Sequence, residues 1–285
     1  MISVVIAAHN EGDVIGRCLD SLLAGARPDE FEVIVVANGC LDRTAAIASE
    51  RSAVRVIEVA EGNKSLALNV GDAAARGFPR IYLDADIIVT PRHLRVIGSA
   101  LESGQGGRDV LAAVPARKLE VSGRPILVRA YYAVSSRLPT YRDGLFGRGM
   151  IGLSERGRDR FKTFPNMIAD DLFLDSLFGP EERCCLDTIA TTVATPRRTR
   201  DLVRRLARVR RGNNGMRNAS SRGEVATAVR PADRTSWFVD VVRTQPRLYP
   251  AAIAYVGITL FAELLSRRTP RRSDGWGQDR SARQM

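Results

Sequence analysis

Across the first hundred residues, short apolar runs alternate with stretches of helical spacing, and this alternation narrows the fold more than any other feature. Residues 2–8 (ISVVIAA) form a continuous apolar run that reads as a central strand. Residues 11–23 then place Val14, Ile15, Leu19, Leu22 and Leu23 at helical intervals. The pattern returns as strand 32–37 and helix 42–49, then as strand 54–59 and helix 64–76. It returns again at strand 80–84, after which Pro91 opens a further helix. Such a repeat predicts a doubly wound, mostly parallel α/β sheet with right-handed crossovers. Ligands of these sheets bind beyond the carboxyl ends of the strands. Here those ends carry His9-Asn10-Glu11, Ala37-Asn38-Gly39 and Asp84-Ala85-Asp86.

The last of these is the most informative. Two carboxylates one residue apart at a strand end point the same way and repel unless something positive lies beside them. A divalent cation carried on a diphosphate is a natural partner, because Mg²⁺ and Mn²⁺ take a few carboxylate oxygens and complete their shell with phosphate. The plain alternative is a solvated strand end.

Beyond residue 104 the pattern changes. Residues 110–121 read as a strand, 126–138 as a helix and 144–157 as a glycine-rich stretch. Ala169-Asp170-Asp171 then precedes an apolar helix ending at Phe178, followed by a strand over 188–194. A basic helix is expected over 199–212 and a polar loop over 212–223.

Residues 249–265 are the most apolar segment, interrupted by Glu263 and followed at once by Arg267, Arg268, Arg271 and Arg272. They fall short of the ~20 residues a spanning helix needs. The segment reads as a hydrophobic helix lying on a membrane or packed on protein, with a single short span as a third alternative. The tail after it is polar and expected to be disordered.

The net charge of +11 is local. Residues 197–222 hold ten arginines against Asp201, and 266–285 hold six against Asp274 and Asp279. A surface of this kind suits a phosphorylated substrate or anionic lipid head groups. The arginines are not interleaved with aromatic residues, so nucleic acid is not expected as a partner. Cys18, Cys40, Cys184 and Cys185 fit no zinc spacing and suggest a reducing compartment. No basic segment precedes the first apolar run, which points to the cytoplasm.

Read in order, five segments resemble family 2 glycosyltransferases of the GT-A fold. Residues 3–11 (SVVIAAHNE) resemble the family's opening strand and P-x-Y-N-E loop. Residues 33–44 (VIVVANGCLDRT) resemble its V-D-D-G-S-x-D-x-T loop, and 62–71 (GNKSLALNVG) its G-K-x-x-A-L-N-x-G segment. Asp84-Ala85-Asp86 resembles the D-x-D motif and Asp170-Asp171 the E-D pair. The resemblance covers about residues 2–215. It implies residues 1–223 as a GT-A domain, with a nucleotide-sugar half over 1–103 and an acceptor half over 104–223. A helical extension over 224–265 and the basic tail 266–285 would follow.

The resemblance further implies a metal-dependent, inverting transferase of the hexosyl type. It would move a sugar from a UDP- or GDP-linked donor to a saccharide, lipid-linked or small-molecule acceptor hydroxyl. The setting would be bacterial polysaccharide, glycolipid or cell-envelope synthesis, at the inner face of the membrane where 249–272 makes a peripheral contact. Asp86, with Asp84, would hold Mn²⁺ or Mg²⁺, and Asp171, tuned by Asp170, would be the catalytic base. Ala8, His9, Asn10, Glu11, Asn38, Lys64, Asp84, Ala85, Arg208 and Arg211 would contact the nucleotide sugar. Gly149 and Met150 would contact the acceptor. Asn10 as a helix N-cap, Lys64 as a helix start and the arginines as a solvated face are the structural alternatives. Ala37 and Asn38 stand where the family carries aspartates. A catalytically weak sugar-nucleotide-binding homologue is therefore the alternative function.

Overall fold

The computed structural model describes residues 1–104, 106–166, 169–223, 229 and 235–268. Four parallel strands form its first half: β1 (Ile2–Ala8), β2 (Phe31–Asn38), β3 (Val54–Val59) and β4 (Arg80–Leu83). They are linked by α1 (Ile15–Leu23), α2 (Thr44–Ser49) and α3 (Lys64–Ala74), and α4 (Pro91–Ser103) follows β4. β5 (Ala112–Glu120), β6 (Met150–Leu153) and β7 (Arg183–Ala194) complete a seven-stranded sheet of order β3-β2-β1-β4-β6-β5-β7. Only β6 runs antiparallel, paired with β4 on one side and β5 on the other. The doubly wound, mostly parallel architecture expected from the sequence is therefore present.

Two apolar layers hold the sheet between them. Val4, Ile6, Val33 and Val35 face α1 and α4 through Leu19, Leu22, Leu94 and Ile97. Val5, Ile34, Val36 and Tyr82 face α3 and the later helices through Leu68, Phe173 and Leu174. Burial on both faces explains why the runs of β1, β2 and β4 are largely apolar, while the edge strand β3 alternates and exposes Arg55 and Glu58.

The second half of the chain departs from the sequence reading in three places. The glycine-rich stretch contains β6 and α7 (Glu155–Arg158). A side chain at Gly152 would overlap Ile97 of α4, so the glycine lets helix and strand approach closely. β7 begins five residues earlier than the expected 188, and its register with β5 shifts between Pro115 and Ala116, where proline supplies no ladder donor. The basic helix does not end at residue 212: α9 runs Thr199–Ser221, and the loop expected over 212–223 is mostly helix. Its buried stripe continues through Gly212, Met216 and Ala219, so packing outweighs the poor helix propensity of the Gly and Asn residues there.

The remaining helices are α5 (Ile126–Ser135), α6 (Pro139–Asp143), α8 (Asp170–Ser176) and α10 (Tyr249–Arg268). α10 extends three residues past the expected 265, through Arg268, and the rest of the expected tail lies outside the described residues. Its inner face packs Tyr255, Ile258, Ala262 and Leu265 against α5 and α9. Glu263, the interruption in the apolar run, pairs with Arg210 of α9 at 2.9 Å and with Arg267 at 3.1 Å. The outer face leaves Tyr249, Ile253, Leu260, Phe261 and Leu264 exposed. By length and composition, Pro246–Arg268 is apolar enough to cross a membrane.

Candidate active site

The carboxyl ends of β1, β2, β3 and β4 lie along one edge of the sheet, as parallel pairing requires. After β4 the chain keeps a two-residue alternation. Leu83, Ala85, Ile87 and Val89 are buried in the core, while Asp86, Ile88 and Thr90 are exposed and Asp84 is half-buried. The two acids therefore leave the sheet on the face opposite Ala85. The antiparallel β6 begins where β4 ends, and the Asp84 N–H donates to the Gly149 carbonyl at 2.8 Å. Gly149 has φ +70, and a Cβ there would overlap Ile87, so this approach requires glycine.

Facing this edge is the start of α8. Its apolar residues Leu172, Phe173 and Leu174 sit in the core, and Asp175 accepts from Arg183 at 2.7 Å and from the Leu145 N–H at 2.9 Å. The segment before α8 is clamped to α3. The Asn69 side chain exchanges two hydrogen bonds with the Phe164 backbone at 2.7 and 3.0 Å, and Asn63 Nδ2 donates to Asn166 Oδ1 at 3.0 Å. This clamp brings the first residue of α3 to the first residues of α8. Lys64 Nζ lies 3.0 Å from Asp84 Oδ1 and 2.9 Å from Asp170 Oδ2. Lys64 thus bridges Asp84 to Asp170, and it opens α3, as the structural alternative expected.

Burial works to lower the Lys64 pKa, but Asp170 and then Asp84 hold it well above the ordinary lysine value. Burial, and then the Asp170 charge, push the Asp171 carboxyl up to about 6, against Lys64 and a hydrogen bond from the Gly147 N–H at 3.2 Å. Beneath the strand-end acids, the Cys18 thiol is pushed up to about 12, first by burial and then by Asp86, Asp84 and Glu11. Four aspartates and one lysine therefore share the edge of β4.

No three His, Cys, Asp or Glu side chains gather into a metal cage among the described residues. Asp84 and Asp86 offer carboxylate oxygens alone, which fits a hard divalent cation that brings phosphate and water as its other ligands. The donor set therefore fits the metal expected from the sequence.

At the other end of the edge, three loops meet. His9 Nδ1 lies 2.6 Å from the Asn38 carbonyl. Gly39 has φ +56, and a Cβ there would come within 2.6 Å of the Gly62 nitrogen. Asn10 accepts from the Leu41 N–H at 2.8 Å and so ties two loops together rather than capping α1, whose N-cap is Val14. The structure places several expected contact residues in the interior. Ala8, Asn38, Ala85, Glu11 and Met150 are all buried, so their side chains do not line the edge. Asn38 directs its amide N–H to the Ala8 carbonyl at 2.7 Å. Met150 packs in the core with Leu94 and Ile97, which leaves only backbone for any acceptor contact. Arg208 and Arg211 are half-buried on α9, which packs against α8. Asn69 is the asparagine of the G-K-x-x-A-L-N-x-G match, without a role of its own assigned from the sequence. Arg117 was not singled out, and an arginine inside an apolar strand is its signal.

Residues 3–133 match the family model described as glycosyl transferase family 2. Among curated proteins, the chain is 34% identical over 109 residues to the uncharacterized glycosyltransferase EpsJ of Bacillus subtilis, covering 37% of this chain and 31% of that protein. It is 32% identical over 114 residues to the glycosyltransferase AglD of Haloferax volcanii, covering 36% of this chain and 18% of that one. The match thus spans less than a third of either relative.

Among solved structures, the mannosyltransferase PcManGT from Pyrobaculum calidifontis, in complex with GDP-Man and Mn²⁺, superposes with a TM-score of 0.56 at 16% identity. That match covers 95% of this chain and 76% of that one. TarS residues 1–349 of S. aureus superpose with a TM-score of 0.51 at 16% identity, covering 92% and 80%. At these identities the structural matches establish the GT-A fold.

Proposed function

Because residues 3–133 carry the glycosyl transferase family 2 pattern, we propose that the chain is an inverting glycosyltransferase that moves a sugar from a nucleoside-diphosphate donor to an acceptor hydroxyl. One observation carries this reading. Lys64 bridges Asp84, of the strand-end acid pair, to Asp170, the neighbour of a carboxyl pushed up to about 6, Asp171. Transfer needs negative charge stabilised on the departing diphosphate and a proton removed from the attacking hydroxyl. Asp86 and Asp84 would hold Mn²⁺ or Mg²⁺, which when bound offsets the charge of the diphosphate.

Asp171 takes the acceptor proton. Its raised pKa makes it a stronger base than an ordinary aspartate while leaving it ionised near neutral pH. Gly147 orients it through the backbone N–H. Asp170 neutralises Lys64 and keeps Asp171 basic by repulsion. A base and a leaving group on opposite faces of the sugar imply inversion at the anomeric carbon.

Turnover of UDP- and GDP-sugars with Mn²⁺ tests the reading, with Asp86→Ala and Asp171→Asn as controls and the product anomer read by NMR. Full activity in both variants, or retained configuration, refutes these assignments. A second reading, a sugar-nucleotide binder with little catalysis, draws support from Ala37 and Asn38, whose buried side chains present no carboxylate at the loop edge. Calorimetric nucleotide binding without transfer to any acceptor would favour it.

For its setting, we place the chain on an anionic membrane surface. α10 turns Ile253, Leu260, Phe261 and Leu264 outward and ends in Arg267 and Arg268, an apolar stripe with a basic terminus. Its inner face is occupied by α5 and α9, which suits a helix lying on the surface rather than crossing it. Flotation with phosphatidylglycerol vesicles should carry the wild type and leave Ile253→Glu/Phe261→Glu behind. Equal flotation of the two proteins would dismiss the contact.

A further inference from the structure

Two arginines of the second half of the chain contrast sharply. Arg148 is buried and commits its guanidinium to the backbone, donating to the carbonyls of Gly144, Pro115, Tyr141 and Arg142 at 2.9–3.1 Å. Elsewhere Arg80 and Arg183, also drawn inward, meet Asp72 and Asp175 at 2.9 and 2.7 Å. Arg117 of β5 does neither. It is half-buried, and among the described residues it makes no ion pair and no hydrogen bond. Its guanidinium lies over the Tyr141 ring with Cζ 4.5 Å from the centroid. Ring stacking fixes the plane of the group and leaves its N–H edge for something else.

The surroundings make that position unfavourable without an anion. Burial first, and the neighbouring Arg148 and Arg205 charges with it, lower the Arg117 pKa. Arg205 itself, among the described residues, finds only the Ala194 carbonyl, at 3.1 Å. The position also borders the proposed base. A Cβ on Gly147 would lie 3.4 Å from Arg117 Nη1 and 3.9 Å from Tyr141, and the N–H of the same glycine holds Asp171. Gly147 has φ +70, and its missing side chain leaves the space beside the guanidinium open.

We propose that Arg117 is the anion-binding residue of the acceptor subsite, and that the acceptor carries a phosphate group, gripped beside Gly147 while its hydroxyl faces Asp171. This rests on the reading of Asp171 as the base. A phosphate supplies the counter-charge that Arg117 and Arg205 lack, and the guanidinium fork matches its oxygens. The phosphate belongs either to a small soluble acceptor or to a lipid.

The full chain, with Arg117→Gln and Arg117→Lys, is titrated by calorimetry with glycerol 3-phosphate, glycerol and decyl phosphate, and separately with UDP or GDP plus Mn²⁺. Melting curves verify that each variant is folded. The wild type should bind glycerol 3-phosphate but not glycerol. Arg117→Gln should lose at least about tenfold in phosphate affinity, the scale of a lost charged hydrogen bond, while Arg117→Lys retains part of it. Nucleotide affinity should stay within about twofold in both variants. Decyl phosphate binding far more tightly than glycerol 3-phosphate assigns the lipid source, and equal affinity assigns the soluble one. Equal phosphate affinity in wild type and Arg117→Gln overturns the proposal. So does a parallel fall in nucleotide affinity, which would give Arg117 to the donor. If no nucleotide binds, yet phosphate binding still depends on Arg117, the transferase reading fails and the anion site stands.

Discussion

The two ends of β4 hold charge in different ways. At the amino end, Asp72 is buried and saturated: it accepts from Arg80 at 2.9 Å, from the Tyr82 hydroxyl at 2.8 Å and from Arg158 at 2.7 Å. Two cations and a hydroxyl surround one acid, tying α3, β4 and α7 together. At the carboxyl end the arrangement differs: Lys64 meets Asp84 at 3.0 Å and Asp170 at 2.9 Å, with Asp171 beside them. The first cluster is complete within the protein and serves the fold. The second gathers the acids to which we assign a cation-bearing diphosphate. We read the first network as a structural device and the second as the candidate site, although both gather aspartates and basic side chains around one short strand.

The sharpest separation of the two ends comes from Asp171→Asn. It should cut transfer by roughly 10²–10⁴-fold, as for loss of a general base, and the fold should survive. Asp72→Ala should do the reverse, losing about 3–5 kcal/mol of stability by stranding Arg80 and Arg158. Chemical denaturation measures this, and an unchanged midpoint would remove the distinction between the two clusters.

The pH dependence sharpens it further. As the proposed base, Asp171 would have to be ionised, so kcat should fall as pH drops through about 6 and become about tenfold lower per unit below that. The stability effect has the opposite sign. A carboxyl raised in the folded state destabilises the protein while ionised, and this penalty is relieved as pH falls from about 6 towards the ordinary carboxylate value. Asp171→Asn should therefore melt higher than wild type at pH 7.5, by about 3 °C, and lose that advantage near pH 4. A variant that melts lower at both values would show that the carboxylate is not under strain.

The smallest effect is expected at Lys64. Its charge holds the Asp171 pKa down, so Lys64→Met should move the acid limb of the rate profile upward by less than about one unit. An unmoved limb would uncouple the two halves of the cluster.

How much of this could be read from the sequence differs between the two halves. In the first, apolar runs and helical spacing located β1 to β4 nearly residue by residue, β1, β2 and β4 because both faces are buried and β3 because an edge strand alternates. In the second, β6 was hidden among glycines whose role is close approach rather than turn formation, as at Gly152 against Ile97. The end of α9 was hidden because Gly and Asn score as loop, while a buried stripe through Met216 holds them helical. For the candidate site, motif order picked out the acids that the structure brings to one edge, Asp84 and Asp170, through Lys64. It did not reveal which neighbours point inward. Asn38, Met150 and Ala85 lie on the right segments with their side chains turned into the core, a fact set by strand alternation and packing. Arg117 carried no motif at all, because only the surroundings show that its charge is unanswered.

The bond from the Asp84 N–H to the Gly149 carbonyl has a consequence for anyone wishing to redirect this chain. It splices the loop that bears one of the acids to the loop that borders the base, so neither can be remodelled alone. A side chain at position 149 would collide with Ile87 and displace the strand end with it. Directed evolution of acceptor choice should find that residue immutable and collect its gains around Tyr141 and Arg117, where the wall of the site can be recarved without disturbing its floor.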